Sequence, residues 1–164
     1  MSIEKRRCAI VPGSFDPMTV GHLAVVLKAA EMFDIVIVAI LNNSAKKCMF
    51  SLAERKEIAE KTCGGIPGVR VVTADGLLVD LARALGARYI VKGVRNSIDF
   101  EYEQNMAKMN KVLAPEIQTV YLPSDTELEV VSSSFVRELL NNEKHVDAYV
   151  HNDALYVVME KLKK

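Results

Sequence analysis

Seven consecutive apolar residues, Ile35-Val36-Ile37-Val38-Ala39-Ile40-Leu41, constrain the fold of this chain more than any other feature. A strand with one face in water alternates apolar with polar residues. A strand that is apolar at every position belongs to a parallel sheet covered by helices on both faces. Four further runs of strand length fit the same sheet: Arg7–Val11, Val69–Thr73, Tyr89–Lys92 and Gln118–Leu122. Between them lie helical patterns at His22–Met32, Leu52–Thr62, Leu77–Leu85 and Ile98–Leu113. Ser51-Leu52-Ala53-Glu54 has the spacing of a capping box; Asp75 is placed to cap the third helix and Gly86 to end it. The alternation predicts a doubly wound, Rossmann-like α/β fold with a parallel five-stranded sheet in the order 3-2-1-4-5 and right-handed crossovers. After Ser132-Ser133-Ser134 the pattern turns helical, at Phe135–Asn141, Val146–Tyr149 and Ala154–Leu162. No Pro/Gly/Ser-rich linker interrupts the chain, so residues 1–164 read as one domain with a helical C-terminal segment.

Lysine plus arginine equals aspartate plus glutamate, 21 of each, so no global field recruits nucleic acid or a membrane surface. Basic side chains must then act by local placement. Cys8, Cys48 and Cys63 show neither pairing parity nor C-x-x-C spacing, which fits thiols in a reducing compartment. The basic N-terminus is followed by only four apolar residues before Pro12, too few for a secretory signal. The longest apolar run is too short to span a bilayer. A cytoplasmic protein without a membrane anchor is expected.

Chemistry gathers after the first strand, where Cys8-Ala9-Ile10-Val11 leads into Gly13-Ser14-Phe15-Asp16-Pro17-Met18-Thr19-Val20-Gly21-His22. A Gly/Ser-containing turn at a helix start presents bare N–H groups to an anion, and a histidine on the first helical turn stands beside them. Backbone angles alone account for Gly13, Asp16 and Pro17 one at a time, but not for the ordered string ending in Gly-His. The helix dipole there disfavours a cation and makes His22 a tunable imidazole, whose protonation state the sequence leaves open. A second cluster, Lys92-Gly93-Val94-Arg95, follows the fourth strand. In a 3-2-1-4-5 sheet strands one and four are neighbours at the switch point, where ligands bind beyond the carboxyl ends. No G-x-G-x-x-G follows the first strand, and no G-x-x-x-x-G-K-[ST] occurs anywhere. Fixed N–H groups, one histidine and cations from Lys46, Lys92 and Arg95 suit phosphoryl or nucleotidyl transfer, which needs positioning and charge stabilisation rather than a protein nucleophile.

Other candidates are weaker. His145 and His151 sit among polar residues and read as surface. Glu101 and Glu103 lie two apart on a helix and so do not face one another as a carboxylate pair. Ile98, Tyr102, Met106, Met109 and Leu113 form a stripe best explained by core packing or a subunit contact. The serines at 132–134 suit either a helix cap or a phosphate site.

The ordered blocks Pro12–Pro17, Thr19-Val20-Gly21-His22, Lys46-Lys47-Cys48-Met49-Phe50, Gly93-Val94-Arg95, Asp99-Phe100-Glu101-Tyr102-Glu103 and Val131–Ser134 resemble the nucleotidyltransferase superfamily with a T/H-x-G-H signature. Over essentially its whole length the chain is similar to its phosphopantetheine adenylyltransferase branch. Cytidylyltransferases and nicotinamide mononucleotide enzymes typically carry histidine where this chain has Thr19. The resemblance implies adenylyl transfer from ATP to 4′-phosphopantetheine, with magnesium, giving dephospho-coenzyme A and pyrophosphate. It implies that His22 stabilises charge at the α-phosphate, and that Ser14, Lys46, Leu78 and Lys92 hold the acceptor. It assigns to ATP Ser14, Phe15, His22, Gly93, Val94, Arg95 and Glu103, together with Leu128, Glu129, Val130, Val131, Ser132, Ser133 and Ser134. It also implies a homohexamer inhibited by coenzyme A. Two positions depart from the pattern: Ser14 is often threonine, and Lys92, usually arginine, keeps the charge without the bidentate fork. Two rival readings are a transferase using another phosphorylated acceptor and a non-catalytic nucleotide-binding module.

Overall fold

The seven-residue apolar run is a strand along its whole length in the computed structural model, which describes residues 6–42 and 47–163. The sheet comprises β1 (Cys8–Gly13), β2 (Ile35–Leu41), β3 (Val69–Ala74), β4 (Tyr89–Val94) and β5 (Gln118–Pro123). All neighbours are parallel and the order is β3-β2-β1-β4-β5, as the alternation predicts. The helices are α1 (Val20–Met32), α2 (Leu52–Thr62), α3 (Leu78–Ala84), α4 (Ser97–Leu113), α5 (Ser133–Asn141) and α6 (Asn152–Met159).

Alternate residues of β2 enter different cores, which is why none of them is polar. Val36, Val38 and Ile40 pack with Val26 and Ala29 of α1, Ile58 and Ala59 of α2, and residues of α5 and α6. Ile37 and Ala39 face the other way, into a cluster with Val79 and Ala82 of α3. Each buried isoleucine or valine contributes on the order of 1.5–3 kcal/mol relative to exposure.

The strand pairing also makes the cleft. β1 stays paired with β2 as far as Gly13↔Ile40, but with β4 only through Ala9↔Tyr89 and Ile10↔Ile90. Past those pairs β1 and β4 separate, while β4 runs on beside β5 to Val94↔Pro123. The gap opens at the carboxyl ends, where the strand order reverses.

Three local expectations are corrected. Asp75 does not cap α3: its carboxylate accepts from the Asn42 amide, and α3 starts after Leu77 without a side-chain cap. Gly86, at φ +66°, does terminate that helix in the left-handed region glycine favours. Val146–Tyr149 is a turn closed by Tyr149 N–H on the Val146 carbonyl, not a helix. Val146 at its start and Val150 just after it are fully buried and, with Tyr149, serve the α5–α6 core without helical periodicity. Finally, α4 buries no residue completely, so its apolar stripe is not core.

Candidate active site

Thr19 and His22 lock the turn after β1 to α1. Thr19 is the N-cap and His22 the third residue of the helix: the Thr19 hydroxyl accepts from the His22 N–H, and the Thr19 N–H donates to His22 Nδ1 at 3.0 Å. This is a capping box with an imidazole in the place of the usual Glu or Gln. A backbone N–H can only donate, so Nδ1 must be the bare nitrogen and Nε2 carries the proton. Burial first, then the charges of Arg95 and Lys92, push the His22 pKa from 6.5 down to about 4. At neutral pH His22 is therefore an uncharged imidazole whose Nε2–H is left for a ligand. Its ring stacks edge-on to Phe15, centroids 5.1 Å apart. Phe15 is itself buried at φ +47°, a left-handed conformation costing a non-glycine residue roughly 1–2 kcal/mol. Gly13 makes that possible, since a Cβ there would meet the Phe15 ring at 2.9 Å.

Two cations come from the other wall, each held by a carboxylate of α4. Lys92 Nζ lies 3.0 Å from Glu103. Arg95 binds Asp99 through Nε at 2.7 Å and Nη2 at 3.2 Å, and the guanidinium holds the Asp99 carboxyl below its usual range. Lys92 and Gly93 are strand residues rather than an exposed turn. Gly93 is required where β4 passes α1, because a Cβ would fall 2.6 Å from Val25 Cγ2.

The serine run closes the site from α5. All three hydroxyls have protein partners: Ser132 accepts from the Phe135 N–H as N-cap, Ser133 donates to the Pro17 carbonyl at 2.8 Å, and Ser134 accepts from Arg137 Nη2. Ser132 and Ser134, as acceptors, do not use their own protons in these bonds; Ser133 has spent its proton on the turn. Arg137 also donates to the Asp16 carbonyl at 2.6 Å. The Asp16 carboxylate in turn accepts from the N–H groups of Met49 and Phe50. One aspartate thus joins the phosphate turn to the segment that follows β2.

These elements enclose a cleft of about 630 Å³. Of the residues singled out in the sequence, Ser14, Phe15, His22, Leu78, Lys92, Gly93, Arg95, Glu103, Leu128, Val131, Ser132, Ser133 and Ser134 line it. Val94, Glu129 and Val130 do not: Val94 offers its carbonyl to the Ser124 N–H, and Glu129 and Val130 are exposed. Lys46 lies outside the described residues. His145 is at the surface, and His151 caps α6 by accepting from the Asp153 N–H. Glu101 is exposed, away from the Glu103–Lys92 pair. Tyr102 and Met106 of the α4 stripe also line the cleft. Sequence reasoning missed Arg55 and Arg137, which sit on helix patterns with nothing local to mark them as other than solvated.

A model of the cytidylyltransferase-like family matches residues 10–139, which takes in the turn, both cations and the serine run. The chain is 39% identical over 155 residues to the phosphopantetheine adenylyltransferase of Lachnoclostridium phytofermentans, spanning 94% of this chain and 95% of that one. With its counterpart from Caldanaerobacter subterraneus subsp. tengcongensis the identity is 42% over 158 residues, 96% and 99% of the two chains. The chain belongs to the phosphopantetheine adenylyltransferase family. That family membership makes it a nucleotidyltransferase and gives the neutral His22 and its two cations a phosphate-transfer setting. The fold is wider than the family: a putative nicotinate-nucleotide adenylyltransferase from Vibrio parahaemolyticus superposes with TM-score 0.70 over 96% of this chain at 16% identity.

Proposed function

We propose that the cleft between β1 and β4 transfers the adenylyl group of ATP to 4′-phosphopantetheine, forming dephospho-coenzyme A and pyrophosphate in coenzyme A biosynthesis. The observation that carries this reading is His22 in its neutral Nε2–H form between Lys92 and Arg95. An acceptor phosphate is largely ionised at neutral pH, so its oxygen attacks the α-phosphorus without a general base. The P–O bond to the β-phosphate breaks and its electron pair leaves with pyrophosphate. His22 Nε2–H donates to the α-phosphate oxygen on which charge grows; a fixed neutral donor needs no reorganisation at that moment. Phe15 and Ser14 supply turn contacts, Lys92 the acceptor's phosphate, Arg95 with Ser132 and Ser134 the ATP phosphates. Leu77 and Leu78 form an apolar wall for an uncharged amide arm.

Magnesium belongs to the same proposal. The described residues contain no group of three metal-ligating side chains, and the cleft's Glu103 and Asp99 are committed to Lys92 and Arg95. This donor set fits an ion carried by the triphosphate, the usual habit of magnesium, better than a protein cage. Assembly as a homohexamer is supported by the apolar α4 surface, where Ile98, Met109 and Val112 are exposed. Inhibition by coenzyme A is supported by chemistry, since it carries both the arm and the adenylyl group the cleft accepts. Three free thiols support a cytoplasmic location. No helix of the described residues is long and apolar enough to cross a membrane.

The test is pyrophosphate release from ATP with 4′-phosphopantetheine, nicotinamide mononucleotide or glycerol phosphate, with dephospho-coenzyme A identified by mass. The first acceptor is expected to have the highest kcat/KM, and ATP to be preferred over CTP. A higher value for another acceptor overturns the substrate assignment, and no release with any acceptor leaves a binding module.

A further inference from the structure

Arg55 breaks two rules of local stability at once. Its side chain is on the first turns of α2, the positive end of the helix dipole, where a cation is disfavoured. It is also 97% buried, being 3% exposed, and no carboxylate among the described residues pairs with it. Nε finds no hydrogen-bond partner among the described residues. A buried, unpaired charge is among the costliest groups a fold can hold. What the guanidinium does hold is backbone: Nη1 donates to the Ser14 carbonyl at 2.8 Å and, more loosely, to the Leu41 carbonyl at 3.4 Å. These oxygens lie just past the carboxyl end of β1 and at the end of β2, on the near wall of the cleft.

We propose that Arg55 is a positioning residue for the phosphate turn: it fixes the Ser14–Phe15 peptide so that the Phe15 N–H faces the nucleotide phosphates, and it lends the turn an uncompensated positive charge. In a trans peptide the carbonyl and the following N–H point in opposite directions. With the Ser14 carbonyl turned back to Arg55, the Phe15 N–H turns away from α2. That N–H has no protein partner among the described residues, and Phe15 lines the cleft. The same peptide leads into the left-handed Phe15, a conformation that persists only where its surroundings impose it. Arg55 imposes it from below, as the Phe15–His22 stack does from above. Buried positive charge with no carboxylate paired to it among the described residues is completed by an anion arriving one peptide away. This inference rests on the reading of the cleft as a nucleotide site.

The experiment uses Arg55→Met, which keeps the stem and removes charge and donors, and Arg55→Lys, which keeps charge and a single donor. Pyrophosphate is titrated into each by calorimetry, thermal melts are recorded, and kcat and KM for ATP are measured. Losing a charge-assisted bond to the turn is expected to weaken pyrophosphate by roughly 10- to 100-fold in Arg55→Met, with a similar fall in kcat/KM for ATP. Arg55→Lys is expected to recover part of both, and the melting temperature of either to change by only a few degrees. A structural role predicts the reverse, a large fall in melting temperature with pyrophosphate affinity kept below it, and that result overturns the proposal. If Arg55→Met does not fold, wild-type pyrophosphate affinity and kcat/KM in Arg55→Lys overturns it equally. Failure of the wild type to bind pyrophosphate sinks the nucleotide-site reading itself, an outcome separate from equal binding by wild type and variants.

Discussion

Replacing His22 with glutamine separates the two tasks the imidazole performs, and acid is the perturbation that shows it. Glutamine is an ordinary third residue of a capping box, so its amide oxygen can take over from Nδ1 in accepting the Thr19 N–H. It does not titrate. In the wild type, His22 has a pKa of about 4 when folded against an ordinary 6.5. Between these values the unfolded chain binds the proton and the folded one does not, so stability falls as pH falls from neutrality. From pH 7 to pH 5 the loss from this one group is about 2 kcal/mol, roughly 4–8 °C in Tm for a chain of this size. Glu54, held at about 2 chiefly by Lys161, works the same way but in a lower window. Its stabilisation is intact above its ordinary pKa near 4.5 and disappears as pH drops toward 2. Melting curves of wild type and His22→Gln across pH 7 to 5 therefore isolate the imidazole. The variant is expected to lose about 2 kcal/mol less over that interval, and the wild-type His22 NMR resonances to show no titration step above pH 5.5. Parallel Tm-versus-pH curves, or a step near 6.5, would refute both the part-buried neutral imidazole and the tautomer deduced from Thr19.

The kinetic counterpart is His22→Ala, expected to lower kcat about 10²–10³-fold, the common loss for one transition-state donor, with far less change in substrate affinity; near-wild-type turnover sinks the role. Lys92→Ala is expected to raise the acceptor's KM and Lys92→Arg to be tolerated, because arginine can meet both Glu103 and a phosphate; unchanged acceptor saturation in both variants removes Lys92 from the site. For the serines, Ser134→Ala should weaken ATP more than the acceptor, whereas Ser132→Ala should also lose roughly 1 kcal/mol of ligand-independent stability as a lost N-cap. Melts with and without ATP distinguish the two effects, and equal behaviour of the two variants contradicts the hydroxyl assignment.

How much of this was legible in the sequence follows from how local each cause is. β2 was readable to the residue because covering both faces forbids any polar position, and α2 because its cap and its Glu54 are three residues apart. The end of β4 was read short, at Lys92, because lysine and glycine are poor strand residues; pairing with β5 overrides that preference. The pattern after Ser134 predicts a helix over Val146–Tyr149, yet burial there is served by a turn. The stripe on α4 was recognised, but periodicity says only that a helix has an apolar side. Tyr102 and Met106, though partly exposed, line the cleft, while Ile98 and Met109 of the same stripe are exposed away from it. The turn and His22 were found because the string is contiguous; the tautomer was not, because histidine is not the expected third residue of a capping box.

What no pattern could supply is the set of contacts that cross the chain. Arg55 reaches Ser14 across 41 positions and Arg137 reaches Asp16 across 121. In sequence each is a charge on an amphipathic helix, and a solvated charge is the ordinary reading of such a residue. In the fold they support the same turn from two sides, one through the Ser14 carbonyl and the other through the Asp16 carbonyl. Two residues that violate local rules are neighbours: a left-handed phenylalanine, and an arginine at the positive end of a helix with no carboxylate paired to it among the described residues. Their costs add up to a few kcal/mol that packing elsewhere must offset. They coincide at the turn because presenting bare N–H groups and a fixed neutral imidazole to a phosphate requires a backbone that would not adopt that shape unaided. A sequence reading that expects local consistency everywhere will therefore miss the supports of such a turn while finding the turn itself.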